Sequence, residues 1–359
     1  MSLAKPEPLY FKHLDGVRAL AVLMVMVSHW TDRQSTSLLH YGGAMGVGLF
    51  FVLSGFLISH ILLRQQVDFQ SGAKGIKAKI LTTFYIRRTL RIFPIYYLYI
   101  TVLVVFGIGA SREIWPWLYG YAYNILLFAT NNWYSGYVEH LWSLAIEEQF
   151  YLVWPLALLA CPPRFNWHLV FGFIALGMIC KAGMYLQAPA SQYSKFPVCQ
   201  FEAFGLGALL ALIRQSKIRI PNATFLMWLS FGFYIFFKWN VLHFHGKSFL
   251  GVLIPSWSIF SMLVVYLAAD GITGYSKVFF DNKFVVYLGK VSYGLYLYHL
   301  FVPDLVSYGF QKFQIATLPF PLMHLIYSLV TLGICAASWT LIEQPINGLK
   351  DRFRYFPKG

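Results

Sequence analysis

The chain has 359 residues, 58% hydrophobic and 19% aromatic but only 12% charged, with a mean hydropathy of +0.58. A typical soluble domain is about 25% charged, so this composition excludes a soluble globule and points to an integral membrane protein of many helices. The net charge of +14 suits either nucleic acid or a bilayer with basic inner loops, and the positions of the 28 Lys and Arg residues decide between them.

A spanning helix needs about 20 mostly apolar residues. In chain order such runs are Leu14 to Trp30, Ala44 to Leu63, Ile92 to Gly109, Leu141 to Cys161, Trp167 to Leu186 and Val198 to Ile213. They continue with Ala223 to Phe237, Phe249 to Ala269, Val291 to Phe310 and Phe320 to Ile342. The expected fold is an all-α integral membrane protein of about ten transmembrane helices. Trp115 to Thr130 is short, rich in Trp and Tyr and carries Asn124. Read as one re-entrant or interfacial segment, it leaves both termini cytoplasmic. Twenty of the 28 basic residues then lie inside, among them Lys5, Lys74, Arg354 and Lys358, and six outside, among them Arg33 and Lys247. Arg18 and Lys181 fall within spans. The basic excess is therefore an orientation signal, and nucleic acid is not an expected partner.

The first apolar run lacks a small-residue cleavage site and reads as a retained helix. Cys161, Cys180, Cys199 and Cys335 lack metal-ligand spacing; they read as packing residues, and no metal is expected. The organisation expected is a single polytopic domain over 1–359, with no soluble extracytoplasmic domain.

An ionisable group at mid-helix costs about 2.5–3.5 kcal/mol on insertion scales, which makes each one a functional candidate. Here they are Arg18, His29, His60, Glu147, Glu148, Lys181, Glu202, His299, Asp304 and His324. Arg18 and His29 share one face of the first helix, about 16 Å apart along its axis. Either they snorkel and cap, or they place a cation and a titratable imidazole on a common path. Arg87, Arg88 and Arg91 stand at the inner mouth of the third helix, where guanidinium forks suit phosphate and pyrophosphate; anionic lipid would attract the same cluster. Helical spacing aligns His140, Ser143, Glu147 and Tyr151. The adjacent carboxylates Glu147 and Glu148 either bridge to Arg18 or Lys181, or one of them orients His29. Ser292, Tyr296 and His299 form a further stripe, which packing also explains. Outer Trp115, Trp117, Trp133 and Tyr134 suit sugar stacking or an interfacial belt.

Six segments in order resemble the acyltransferase family 3 membrane proteins. They are His13-Leu-Asp-Gly-Val-Arg with His29, Gly48-Leu-Phe-Phe-Val-Leu-Ser-Gly, Arg87-Arg-Thr-Leu-Arg-Ile-Phe-Pro, Trp142-Ser-Leu-Ala-Ile-Glu-Glu-Gln-Phe-Tyr, Ser292-Tyr-Gly-Leu-Tyr-Leu-Tyr-His and Ile342-Glu-Gln-Pro. The resemblance runs from about residue 9 to 346.

What it implies is a bacterial inner-membrane O-acyltransferase. Such an enzyme moves an acyl group, most often acetyl, from cytosolic acyl-CoA to a hydroxyl of an extracytoplasmic or lipid-linked glycan such as exopolysaccharide or lipopolysaccharide. By position, the family's catalytic histidine falls on His29 and its motif acid on Glu147. Donor binding falls on Arg18, Arg88 and Arg91, helped by Arg87, with Glu148, Ser292 and His299 as weaker candidates. No cofactor is expected to be bound; acetyl-CoA or another acyl-CoA is a substrate. Expected partners are the glycan acceptor, membrane lipid and polysaccharide-biosynthesis proteins. A glycan or lipid transporter, or a non-catalytic component of a polysaccharide export complex, is the alternative.

Overall fold

Long apolar runs fold here as helices, since a helix satisfies its own backbone where no water is available. The computed structural model describes residues 10–31, 38–68, 76–134, 136–185, 193–244, 250–316, 318–353 and 355. Lys5, Arg33, Lys74, Lys247, Arg354 and Lys358, together with the expected span ends Leu186 and Phe249, lie outside them. Among the described residues there is no strand.

The order is α1 (Lys12–Trp30), α2 (Leu38–Asp68), α3 (Ile76–Phe106), α4 (Trp115–Tyr119), α5 (Tyr123–Thr130), α6 (Leu141–Ala160), α7 (Asn166–Tyr185) and α8 (Phe201–Gln215). It continues with α9 (Ala223–Phe244), α10 (Leu250–Asp270), α11 (Ser276–Asp281), α12 (Lys283–Lys290), α13 (Ser292–Tyr298), α14 (Val302–Lys312), α15 (Phe320–Ser338) and α16 (Gln344–Gly348). A π turn, Trp339–Glu343, joins the last two. Among the described residues, five segments are long and apolar enough to cross a membrane: Gly42–Gln66, Ile76–Phe106, Pro163–Met184, Pro197–Gln215 and Phe320–Arg352. The chain is an all-helical membrane protein, and Ile179, Phe225, Trp228 and Leu329 are exposed apolar side chains suited to lipid contact.

Three elements differ from the sequence expectation. The third helix begins at Ile76, well before the apolar run, so Arg87, Arg88 and Arg91 lie inside a helix rather than at its mouth. Trp115 to Thr130 becomes two short helices broken at Tyr121, which has φ 49°; the longer, of eight residues, rises about 12 Å, too short to cross. The run Val291 to Phe310 is not one helix: it stops at Tyr298 and restarts at Val302, with Pro303 in the new first turn. Proline cannot donate to the preceding turn but suits a helix start.

The centre is α2, against which α1 and α8 pack. A Cβ on Gly207 would meet the Val52 carbonyl, and one on Gly55 the Phe204 carbonyl, so these backbones touch as small residues allow between membrane helices. Gly207→Ala is expected to cost about 1–3 kcal/mol by overpacking, read as a lower Tm of the purified protein in detergent. The helices α7 and α8 are joined by a buried ion pair, Lys181 Nζ to Glu202 Oε2 at 2.6 Å. Glu202 is thus the partner of Lys181, in place of the bridge to Glu147 or Glu148 considered from sequence. Where α12 meets α1, a Cβ on Gly289 would strike the Asp15 carbonyl. Lys290 and Ser292, which follow, line one cavity with Asp15 and Arg18.

Candidate active site

A cavity of about 530 Å³ opens among α1, α3, α6, α13 and the segment after α15. Arg18, Arg87, Arg88, Arg91, Glu147, Glu148 and Ser292 all line it. So do several groups that sequence reasoning did not select: Asp15, Ser54, Lys290, Glu343, Asn347 and Lys350. The signal for Glu343 was present, as a carboxylate ahead of a proline closing an apolar helix. Asn347 and Lys350 looked like an ordinary basic tail.

Each arginine has a different setting. Arg18 pairs with Asp15 one turn earlier on α1, and the Tyr10 hydroxyl donates to the same carboxylate at 2.6 Å. Burial, reinforced by Asp15, pushes the Tyr10 phenol up to about 12. Arg88 lies over the Tyr151 ring at 4.7 Å. Arg91 has no hydrogen-bond or ion-pair partner among the described residues and feels the like charges of Arg18 and Arg88. Three guanidinium groups held close together, two of them without a carboxylate pair, form a site for a polyanion.

Arg87 is placed otherwise. Its Nη1 donates to the carbonyls of Lys350 and Phe353, both at 2.8 Å, and its guanidinium lies 6.0 Å from the Tyr355 ring centre. Arg87 thus lines the cavity and also ties the carboxy-terminal segment that carries Asn347 and Lys350 to α3. Arg87→Ala should speed proteolysis after Ser338 in limited digestion, while Arg88→Ala leaves that cleavage unchanged.

Glu147 accepts a hydrogen bond from Ser54, whose Oγ lies 3.1 Å from the Tyr151 hydroxyl. The expected pairing of Glu147 with His29 is therefore replaced. His29 Nδ1 lies 2.6 Å from His299 Nε2, with the two rings nearly parallel at 11°. His29 is exposed and His299 fully buried. His299 stands at the C-cap of α13 because the helix breaks there, and a sequence read as one continuous span hides that position.

The protons follow from the partners. His299 Nδ1 lies 2.7 Å from the Tyr296 carbonyl, and a carbonyl only accepts, so Nδ1 carries hydrogen. In neutral His299, Nε2 is then an acceptor, and His29 must donate to it from Nδ1. In neutral His29, Nε2 is then the nitrogen without hydrogen, the one that can act as a base. The Trp30 indole also donates to the His299 carbonyl, at 2.9 Å, fixing the end of α1 to the same turn.

Between the arginine cavity and this pair stands a partition. Tyr296 and Ser143 line the cavity with their hydroxyls 2.5 Å apart, and the Tyr296 hydroxyl lies 3.2 Å from the His140 carbonyl. Buried His140 packs against His299, ring centres 5.2 Å apart. His29 is beyond this layer and does not line the cavity.

A family model described as an acyltransferase domain matches residues 11–340. The peptidoglycan O-acetyltransferase OatA of Listeria monocytogenes is 29% identical over 380 residues, covering 97% of this chain and 58% of that protein. The O-acetyltransferase OatA of Staphylococcus aureus is 27% identical, covering 98% of this chain and 60% of its own. The chain thus spans about three fifths of the length of these curated relatives. No solved structure matches.

Proposed function

Because the chain belongs to this acyltransferase family, we propose that it transfers an acyl group, most simply acetyl, from cytosolic acyl-CoA to a hydroxyl of a cell-surface or lipid-linked glycan. The observation that carries the proposal is the separation of two chemistries across one buried partition. A polyanion site of Arg18, Arg88 and Arg91 lies on one side. On the other is an exposed imidazole, His29, held by His299 through its Nδ1.

In this reading the phosphates of CoA bind Arg88 and Arg91, with Arg18 deeper and Lys350 at the mouth. The pantetheine arm points toward Ser143 and Tyr296. When Tyr296 swings aside, the thioester carbonyl reaches the acceptor hydroxyl held at His29. His29 Nε2 accepts the hydroxyl proton, the oxygen attacks the carbonyl carbon, the carbon–sulfur bond breaks, and the thiolate leaves to be protonated as CoA. His299 holds the His29 ring in the tautomer this step needs. The protein sits in the bacterial cytoplasmic membrane with about ten crossings and both termini inside. Peptidoglycan is the first acceptor to test, since one relative is named for it.

The test is purified protein in liposomes with radiolabelled acetyl-CoA and peptidoglycan fragments or other surface glycans. Label on the glycan matched by free CoA is the expected result. A transporter or non-catalytic export component releases no CoA, and that outcome with every glycan sinks the proposal. A further substitution tests the tautomer. His299→Gln can still accept from His29 Nδ1 and should retain most activity, whereas His299→Leu should lose at least about tenfold in kcat, as a misoriented base does. Equal activity in the two variants excludes the orienting role.

A further inference from the structure

Outside this site, Cys180 near the end of α7 and Cys199 in the 3-10 turn Pro197–Gln200 bring their sulfurs to 3.0 Å. The Met184 thioether completes a small sulfur cluster, 3.9 Å from Cys180 and 3.6 Å from Cys199. No cysteine lines the arginine cavity, so this pair is independent of the acyl-transfer machinery. Sequence assigned both residues to packing. Two facing thiols separated by 3.0 Å need little movement to reach bonding distance, about 2.05 Å.

The packing also says at which end of the bundle they sit. Arg214 at the end of α8 lies over the Phe11 ring at 5.1 Å, beside the start of α1, and Gln215 donates to the Leu63 carbonyl near the end of α2. The start of α8, with Cys199 just before it, is therefore at the opposite end from the start of α1. That is the end of α1 that carries His29. If the arginine mouth faces the cytosol, as the excess of basic residues requires, the cysteines face the extracytoplasmic side, where thiols are oxidised.

We propose that Cys180 and Cys199 form a disulfide in the mature protein. The oxidant is the disulfide of an exported thiol oxidase. Half-buried Cys180, the more accessible of the two, loses its proton and attacks that disulfide, releasing one oxidant thiolate and leaving a mixed disulfide. The Cys199 thiolate then attacks the Cys180 sulfur and expels the second. Two protons and two electrons leave the pair, and the oxidant ends as a dithiol.

The bond ties α7 to the segment entering α8, which reaches the acceptor side of the site. Lys195 in that segment lies 3.6 Å from the Trp142 ring centre and 4.3 Å from that of Trp133, and its carbonyl accepts from Asn124 at 3.2 Å. Trp142 directly precedes Ser143 of the partition. The cross-link thus holds Lys195 over Trp142 at the edge of the acceptor site.

The experiment caps free thiols in intact cells with N-ethylmaleimide, purifies the full chain, reduces it, and adds iodoacetamide before peptide mass spectrometry. Cys161 and Cys335 should carry the first reagent or none, and Cys180 and Cys199 only the second. Without reduction, their two peptides should appear joined and two hydrogens lighter than the sum. In Cys180→Ser, Cys199 should become reactive to the first reagent, and Cys199→Ser should do the same for Cys180. N-ethylmaleimide on both cysteines of the wild-type chain, or the absence of the joined peptide, overturns the proposal. Either result leaves acyl transfer itself untouched, so the two readings fail separately.

Discussion

His29→Ala will lower glycan acylation by about 10²- to 10⁴-fold, the range contributed by a positioned general base. Expression, membrane insertion and acyl-CoA affinity should stay as in the parent. The reason is local: His29 is exposed at the end of α1, outside the arginine cavity, and its Nδ1 is committed to His299. What alanine removes is the imidazole itself and, at an exposed position, little packing. The loss should fall on kcat at saturating donor, because the proposed donor site is on the far side of Tyr296. A variant with near-normal kcat would show that another group takes the proton.

The second large effect concerns the donor. A hydrogen bond to a charged group is worth about 1.5–3 kcal/mol, so removing Arg88 or Arg91 should raise the acyl-CoA KM by roughly ten- to a hundredfold each. The double variant should fall short of the product, since neighbouring like charges share one ligand and their effects couple. Arg91 is the sharper test of the two, because no direct ion pair or hydrogen bond joins it to an acid among the described residues. Arg91→Lys should not restore the parent KM, as one ammonium cannot grip phosphate with two parallel bonds. Isothermal titration with CoA checks the binding without turnover. An affinity within twofold of the parent for both single variants would remove them from the donor site.

Much of this was visible before any coordinates. Long runs with few charges mark the helices, and residues spaced by four, Ser143, Glu147 and Tyr151, do share the face that lines the cavity. Arg18 and His29 are also on opposite sides of the partition, as eleven residues of helix demand. What could not be read is contact between segments distant in the chain. The partner of His29 is 270 residues away, in a turn created by one proline inside an apolar run. Glu147 looked suited to orient an imidazole by composition alone, yet its carboxylate is taken by Ser54 from another helix. Arg87 is indistinguishable from Arg88 in sequence, and only the backbone carbonyls of Lys350 and Phe353 separate their roles.

The layer of Tyr296, Ser143 and His140 has a cost-saving consequence for the cell. A passage lined with arginines and open at both faces would conduct anions and dissipate the membrane potential between turnovers. Here the two hydroxyls close on each other 2.5 Å apart, backed by a buried imidazole, and so wall off the arginine cavity on the side of His29. In the proposed transfer, an acyl group passes this layer only while Tyr296 is displaced, so no pore stands open between turnovers.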